Sequence, residues 1–125
     1  MLSEANFMKI AIPVENGILS QHFGHCEGFY IATVENGQIV NSETVLPPEH
    51  GEGIFPTFLA NNGVNIIIAG GMGPRARDYF NQFNIDVYTG AEEKEPEALI
   101  NDLINGILRT TGKSCSGGHM HGCHK

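Results

Sequence analysis

The chain has 125 residues, of which 41% are hydrophobic and 17% charged, and its formal net charge is −7. That length suits one domain with a core of its own. The acidic balance argues against nucleic acid or an anionic membrane as the main partner, because both select basic surfaces.

Residues 1–7 read as a short polar extension. They carry neither a basic n-region nor an apolar h-region, so no secretory signal is expected, and no apolar run approaches membrane-spanning length. A cytoplasmic location is the expectation. Cys26, Cys115 and Cys123 make an odd count. In a reducing compartment this points to free thiols or metal ligands rather than a disulfide framework.

From Met8, the residues Ile10, Ile12 and Val14 alternate with Lys9, Ala11 and Pro13 and predict a first strand, with hydrogen bonding expected to stop near Pro13. Glu15-Asn16-Gly17 is a turn signal. Ser20 to Gly28 is a loop. Phe29 to Glu35 and Gln38 to Val45 are two β-rich runs joined by Asn36-Gly37, the strongest short hairpin signal, so these strands should be antiparallel.

Pro47 and Pro48 break the chain, and the glycine-rich His50-Gly51-Glu52-Gly53 follows. Phe55, Phe58 and Leu59 have helical spacing, with Asn62-Gly63 as the stop. Val64 to Ile68 holds three consecutive isoleucines and predicts a strand buried on both faces, as in a parallel sheet. Gly70-Gly71-Met72-Gly73 then lets the backbone turn, and Pro74 suits the first turn of a helix whose apolar face is Ala76, Tyr79, Phe80 and Phe83. Asn84 to Tyr88 is a short strand. Pro96, behind a run of glutamates, opens a last helix with Leu99, Leu103, Ile107 and Ile100, Ile104, Leu108 inward and Arg109 in its final turn. Beyond Gly112 the composition cannot support a core, and residues 112–125 are expected to be a flexible Cys/His-rich tail. The order of elements predicts a three-layer α/β/α sandwich on a mixed five-stranded sheet, with the folded domain spanning 8–111.

Three places could carry chemistry. The first is the loop with His22, His25 and Cys26, since imidazole and thiolate are ligands for borderline and soft metals. His22 could equally be a hydrogen-bonded loop histidine and Cys26 a small packed thiol. The second is the tail, where Cys115, His119, His121, Cys123 and His124 lie within ten residues among glycines. Two thiolates and two imidazoles could make a tetrahedral site for a divalent metal there, although the spacing is not that of a zinc finger. The tail could also be a disordered segment that meets metal only by accident. The third is the pair of glycine loops, Gly51-Glu52-Gly53 and Gly70-Gly71-Met72-Gly73. At the carboxyl edge of an open α/β sheet their N–H groups could meet an anion, with Arg75 as counter-charge. The pattern is neither a P-loop nor a dinucleotide fingerprint. A tight strand-to-helix crossover with no ligand explains it as well. No nucleophile elbow or triad is present and no aspartate sits in a glycine loop, so no catalysis is expected.

Taken together, Ser20-x-His22-Phe23-Gly24-x-x-x-x-Phe29, Gly51-x-Gly53 opening a helix, and Gly63-Val64-x-x-Ile67-x-x-Gly70-Gly71-x-Gly73 resemble the dinitrogenase iron–molybdenum cofactor biosynthesis family, which takes in NifX, NafY and the NifB carboxy-terminal domain. The resemblance runs from about Met8 to about Leu108. It implies a ribonuclease H-like fold without nuclease activity and the binding or carriage of a metal–sulfur cluster, of iron–molybdenum or molybdenum–copper type, or its precursor. It implies partners that donate or accept that cluster. It also makes His22 a candidate ligand, with Gly24, Gly51, Gly53, Gly70, Gly71, Gly73 and Arg75 around the cofactor. His25 and Cys26 depart from many members, and the tail lies beyond the common domain. Two alternatives stay open: a metal chaperone or storage protein acting through the tail, and a regulatory interaction domain that binds no cluster. Neither the oligomeric state nor the identity of the metal follows from the sequence.

Overall fold

The computed structural model describes residues 7–21, 23, 26–49, 51, 53–108, 110 and 112–114. Among these, β1 is Phe7–Glu15, β2 Ile18–Leu19, β3 Gly28–Glu35, β4 Gln38–Val45, α1 Ile54–Asn61, β5 Ile66–Ile68, α2 Pro74–Gln82, β6 Asp86–Thr89, α3 Pro96–Ile104 and β7 Gly112–Ser114. The protein is a mixed α/β fold. One sheet carries the strands in the order β4-β3-β1-β5-β6-β7, with β2 paired to the end of β1. β1, β5 and β6 are parallel; β3 is antiparallel to β1 and β4, and β7 is antiparallel to β6.

Turn chemistry sets the first half of the sheet. Asn16 and Gly17 have φ of 57° and 84°, and Asn36 and Gly37 have 53° and 79°. Positive φ at both central residues makes a turn whose twist matches the flanking strands, so each pair closes a two-residue hairpin. The expected antiparallel pairing of the Phe29 and Gln38 runs is what the structure has.

The inner strands bury both faces, while β4 at the edge is largely exposed, and period-two alternation sorts the buried side chains between two cores. Ala11, Phe29, Ile31, Ile67 and Val87 pack with Phe55 and Leu59 of α1 and Phe80 of α2. Ile10, Ile12, Val14, Tyr30, Ala32, Val34 and Ile68 pack with Leu99 and Ile100 of α3. The helices therefore cover opposite faces, α1 and α2 on one and α3 on the other.

Several sequence expectations are corrected. Among the described residues the sheet has seven strands, against the five expected. The two additions are the two-residue β2 and the three-residue β7, each held by backbone pairing with little side-chain signal to betray it. The sheet thus takes in Gly112–Ser114 through their pairing with β6. Pro13 does not stop β1, which pairs with β3 through Val14. Its carbonyl accepts from the Ser20 N–H at 2.8 Å. A strand residue points its nitrogen and oxygen to the same side, so the missing donor of Pro13 faces the β2 side and costs β3 nothing. Phe83 caps the end of α2 and is exposed, and α3 ends at Ile104, before Ile107, which is 64% exposed. Gly106, at φ 77°, turns the chain there. Arg109 lies outside the described residues.

Candidate functional site

Because β1, β5 and β6 are parallel, the segments leaving their carboxyl ends share one rim. α2 and α3 each follow a parallel strand and so begin at this rim. α1 runs away from it, since its last-turn Asn62 carbonyl accepts a 2.7 Å bond from Lys9 Nζ at the far end of β1. Three helix N-termini therefore converge on the same edge of the sheet, the edge at which open α/β sheets take ligands.

The loop after β2 is tied to this rim by backbone bonds. The Gly71 N–H donates to the Gln21 carbonyl at 2.9 Å, and the Phe23 N–H donates to the Gly71 carbonyl at 3.3 Å. Gln21 and Phe23 are the chain neighbours of His22, so both residues flanking this histidine are fastened to the glycine loop. The approach is close enough to exclude a side chain. A Cβ on Gly71 would lie 2.9 Å from the Gln21 oxygen, and one on Gly70 would lie 3.0 Å from the Gln21 Cα. Gly70 also accepts from the Gly90 N–H at 2.6 Å. Gly70 and Gly71 thus serve close backbone-to-backbone contact, as a tight strand-to-helix crossover requires.

Phe23 is the anchor of this loop. Its ring meets Phe55 and Phe80 edge-on, each with centroids 5.6 Å apart, and lies 6.0 Å from Phe29. Edge-to-face geometry suits the ring quadrupoles, and burying a phenylalanine side chain contributes about 1.5–3 kcal/mol to holding the loop. The sequence motif contained Phe23 without giving it a role. A lone aromatic residue in a loop otherwise rich in polar residues and glycine was the available signal.

Cys26 belongs to the same core as Phe23 and Phe29 and is buried. Burial pushes its thiol up from 9.0 to about 11, opposed by backbone hydrogen bonds and reinforced by the Glu15 carboxylate. A thiol in this setting is protonated at neutral pH, whereas a metal ligand must be a thiolate. A metal here would have to displace that proton and move the side chain out of the core.

The two helix ends near the histidine loop differ from the third. α1 and α2 are capped by Gly53 and Gly73, with no side-chain cap and no acidic residue in the first turn. The positive ends of these two helices therefore meet no acidic side chain of their own first turn, while the Ile54 N–H is taken by Gly51 and Pro56 and Pro74 carry no N–H. Gly53, at φ 76°, lies against α2: a Cβ there would sit 3.0 Å from the Tyr79 ring. Before Gly73 there is open space, with no atom of the described residues within 4 Å of an added Cβ. Gly51 accepts from the Ile54 N–H at 3.1 Å and so belongs to the entry of α1. Arg75 is exposed in the first turn of α2. Arg77, which the sequence reading passed over, donates to Thr89 Oγ1 at 2.7 Å and ties α2 to the end of β6. α3, by contrast, begins beside Glu92, Glu93, Glu95 and Glu97.

Of the other candidates, His22, Gly24, His25, Cys115, His119, His121, Cys123 and His124 lie outside the described residues. Among the described residues no group of three or more histidines, cysteines or carboxylates is placed to hold a metal ion. Nor, among them, is any helix long and apolar enough to cross a membrane. Gly112 pairs with Thr89 and Ser114 with Val87, so the strand leads the chain away from the rim.

The chain is thus an α/β sheet whose glycine loop and the segment flanking His22 are joined at the carboxyl edge of its parallel strands. Residues 7–106 match the model of the dinitrogenase iron–molybdenum cofactor family, and the chain belongs to that family. It is 46% identical over 90 residues to an uncharacterised protein of Methanocaldococcus jannaschii, covering 68% of this chain and 76% of that one. The crystal structure of PH0822 superposes with a TM-score of 0.78 at 33% identity, covering 83% of this chain and 95% of that one. The apo form of the orange protein from Desulfovibrio gigas shares the fold, with a TM-score of 0.71 at 22% identity over 86% of this chain and 96% of that one.

Proposed function

We propose that the protein binds and carries a metal–sulfur cluster, of iron–molybdenum or molybdenum–copper type, or its precursor, and catalyses no reaction. Its partners are then the proteins that donate and accept this cargo in the cytoplasm. Family membership supports the class of cargo. The observation that supports the assignment to this rim is the double hydrogen bond of Gly71 to Gln21 and Phe23, the chain neighbours of His22, on the glycine loop that leads into α2. Such a cluster is anionic, and a helix N-terminus without acidic residues favours an anion. In this reading His22 supplies the ligand, the first-turn amides of α2 and the Arg75 guanidinium balance charge, and Gly73 leaves room for the cargo to approach the backbone. The run β4-β3-β1-β5-β6 within the strand order supports reading the sheet as ribonuclease H-like.

The test is anaerobic reconstitution with molybdenum–sulfur and iron–sulfur species, read by metal content and the visible charge-transfer spectrum. His22→Ala should abolish stoichiometric loading, and Cys26→Ala should leave it intact. Undiminished loading of His22→Ala removes the site from this rim.

A second reading is favoured by the course of β7 together with the burial of Cys26. The tail donors Cys115, His119, His121, Cys123 and His124 would then form a separate centre for a divalent metal, and the protein would be a metal chaperone or store. A chain ending at Ser114 separates the two. Retained cluster loading supports the rim, and loss of all metal supports the tail.

A further inference from the structure

β4 forms one edge of the sheet, and among the described residues no strand lies beyond it. The direction of its backbone groups follows from Pro13. The Pro13 carbonyl faces β2, so Phe29, which sits opposite Pro13, turns its N–H and C=O away from β1 and toward β4. Direction alternates along an antiparallel strand. Asn41, Glu43 and Val45 therefore bond inward to Thr33, Ile31 and Phe29, while Ser42 and Thr44 turn their N–H and C=O groups outward. Sheet edges are ordinarily blunted by shortness, charge or a bulge. The opposite edge obeys this rule, since β7 has three residues and one of them is Lys113. β4 has eight residues with Glu43 as its single charge, and its bulge at Val40 leaves the stretch from Asn41 to Val45 regular. Val40 and Leu46, at the two ends of that stretch, are 54% and 82% exposed. Ser42 and Thr44 pair with Ala32 and Tyr30 of the α3 core, so their side chains lie on the α3 side. Two clefts open there, one of about 470 Å³ lined by Ile39, Val40, Ser42, Glu97 and Asn101, the other of about 280 Å³ lined by Thr44, Glu95, Pro96 and Glu97. Among the described residues no basic side chain lines either cleft.

We propose that β4 receives an extended segment of a partner protein as an added strand, with lysine or arginine at alternate positions of that segment. The outward N–H and C=O groups of Ser42 and Thr44 supply the backbone hydrogen bonds that strand addition requires. Every second side chain of the added strand falls on the α3 side, beside the two clefts. A long basic side chain there lays its methylenes along Val40 or Pro96 and carries its charge to Glu97. Glu43 gives the other face of the strand the same sign. Charge also decides between a partner and a second copy of this chain. A second copy would set Glu43 and Glu97 against their own equivalents in a chain whose net charge is −7, whereas a basic segment is complementary to all of them. The edge shares no residue with the proposed cargo rim, so it stands or falls independently of that reading.

The test is titration of the full-length protein at low salt with an end-blocked Lys-Val-Lys-Val-Lys peptide, followed by NMR and amide hydrogen exchange. The controls are Glu-Val-Glu-Val-Glu and the lysine peptide methylated at its backbone nitrogens, which keeps the charge and loses the strand donors. Saturable binding of the unmethylated lysine peptide alone is expected. At saturation the Ser42 and Thr44 amides should exchange about tenfold more slowly, while those of Asn41, Glu43 and Val45, already bonded to β3, change little. Thr44→Pro removes an outward donor that β3 does not use and should weaken binding about tenfold, as for one lost hydrogen bond. Glu97→Gln should weaken it about threefold and reduce its salt dependence. The exchange pattern and Glu97→Gln keep the test decisive if Thr44→Pro folds poorly. Absence of saturable binding, equal binding of either control, or unchanged exchange at Ser42 and Thr44 would each overturn the proposal. Protection of those two amides that rises with protein concentration and needs no peptide would overturn it in favour of a second copy.

Discussion

Gly71→Ala tests whether the glycine loop exists to seat the histidine loop. The new methyl would lie 2.9 Å from the Gln21 carbonyl oxygen, well inside van der Waals contact, and a backbone atom cannot swing aside as a side-chain end can. The position lies outside the left-handed region, so strain from φ is not at issue and the effect is steric. Relief requires the Gln21–Phe23 segment to lift. That breaks the 2.9 Å and 3.3 Å bonds on either side of His22, worth about 1 kcal/mol each. Partial withdrawal of Phe23 from its aromatic cluster and residual overpacking add about 1–2 kcal/mol. The expected loss is about 3–4 kcal/mol, a large share of the roughly 5–15 kcal/mol that holds a domain together. Urea unfolding measures the loss, and hydrogen exchange at the backbone amides of positions 23 and 71 locates it. Gly73→Ala is the internal control. Gly73 has φ −72° and open space before it. The entropic gain of alanine and its poorer capping should nearly cancel, leaving stability within about 0.5 kcal/mol of the parent. If Gly71→Ala also falls within about 0.5 kcal/mol with both amides still protected, the seating argument is wrong. Gly73→Ala should instead weaken cluster loading, because its methyl enters the space assigned to the cargo.

The remaining predictions concern the core and the chain end. Cys26 has a thiol raised to about 11 in the fold against 9.0 in the reference state, so the fold favours the protonated form. Its contribution is therefore complete below pH 9 and is lost as pH rises towards 11; Cys26→Ala should flatten that part of the stability–pH curve, and an unchanged slope refutes the burial argument. Iodoacetamide at neutral pH should label Cys26 only on unfolding, as mass mapping of that peptide would report. Phe29→Ala should cost about 3–5 kcal/mol in chemical denaturation, since its ring is fully buried and meets Phe55 edge-on at 5.2 Å. A chain ending at Ser114 should melt with the parent. One ending at Thr111 loses β7, bares the β6 edge and should melt several degrees lower; equal melting would show that β7 contributes no stability.

Local chemistry made much of this fold legible. Asn36-Gly37 announced a hairpin and Asn16-Gly17 a turn because few other residue pairs accept positive φ twice in succession. Ile66-Ile67-Ile68 announced a strand covered on both faces, and Pro74 and Pro96 announced helix starts, because each signal acts within a few residues of itself. Phe83 and Ile107 misled because helical spacing continues past the point where the chain turns at Asn84 and Gly106, and spacing alone does not mark that end. β2 and β7 were missed because a short strand is held by its neighbour's backbone and needs no pattern of its own.

The site divides in the same way. The order of donors and glycines in sequence was enough to mark a family and to nominate one edge of the sheet. Only the tertiary structure decided that Gly70 and Gly71 are small for the sake of Gln21, that Phe23 is the peg holding the histidine loop, and that the Cys26 thiol sits in the core with its proton retained. The same glycine permits a ligand or another strand of backbone to come close, and the same cysteine is ligand or packing atom according to what surrounds it. Residue type states what a position can tolerate or donate, and the partner that arrives across the fold determines which of these is used.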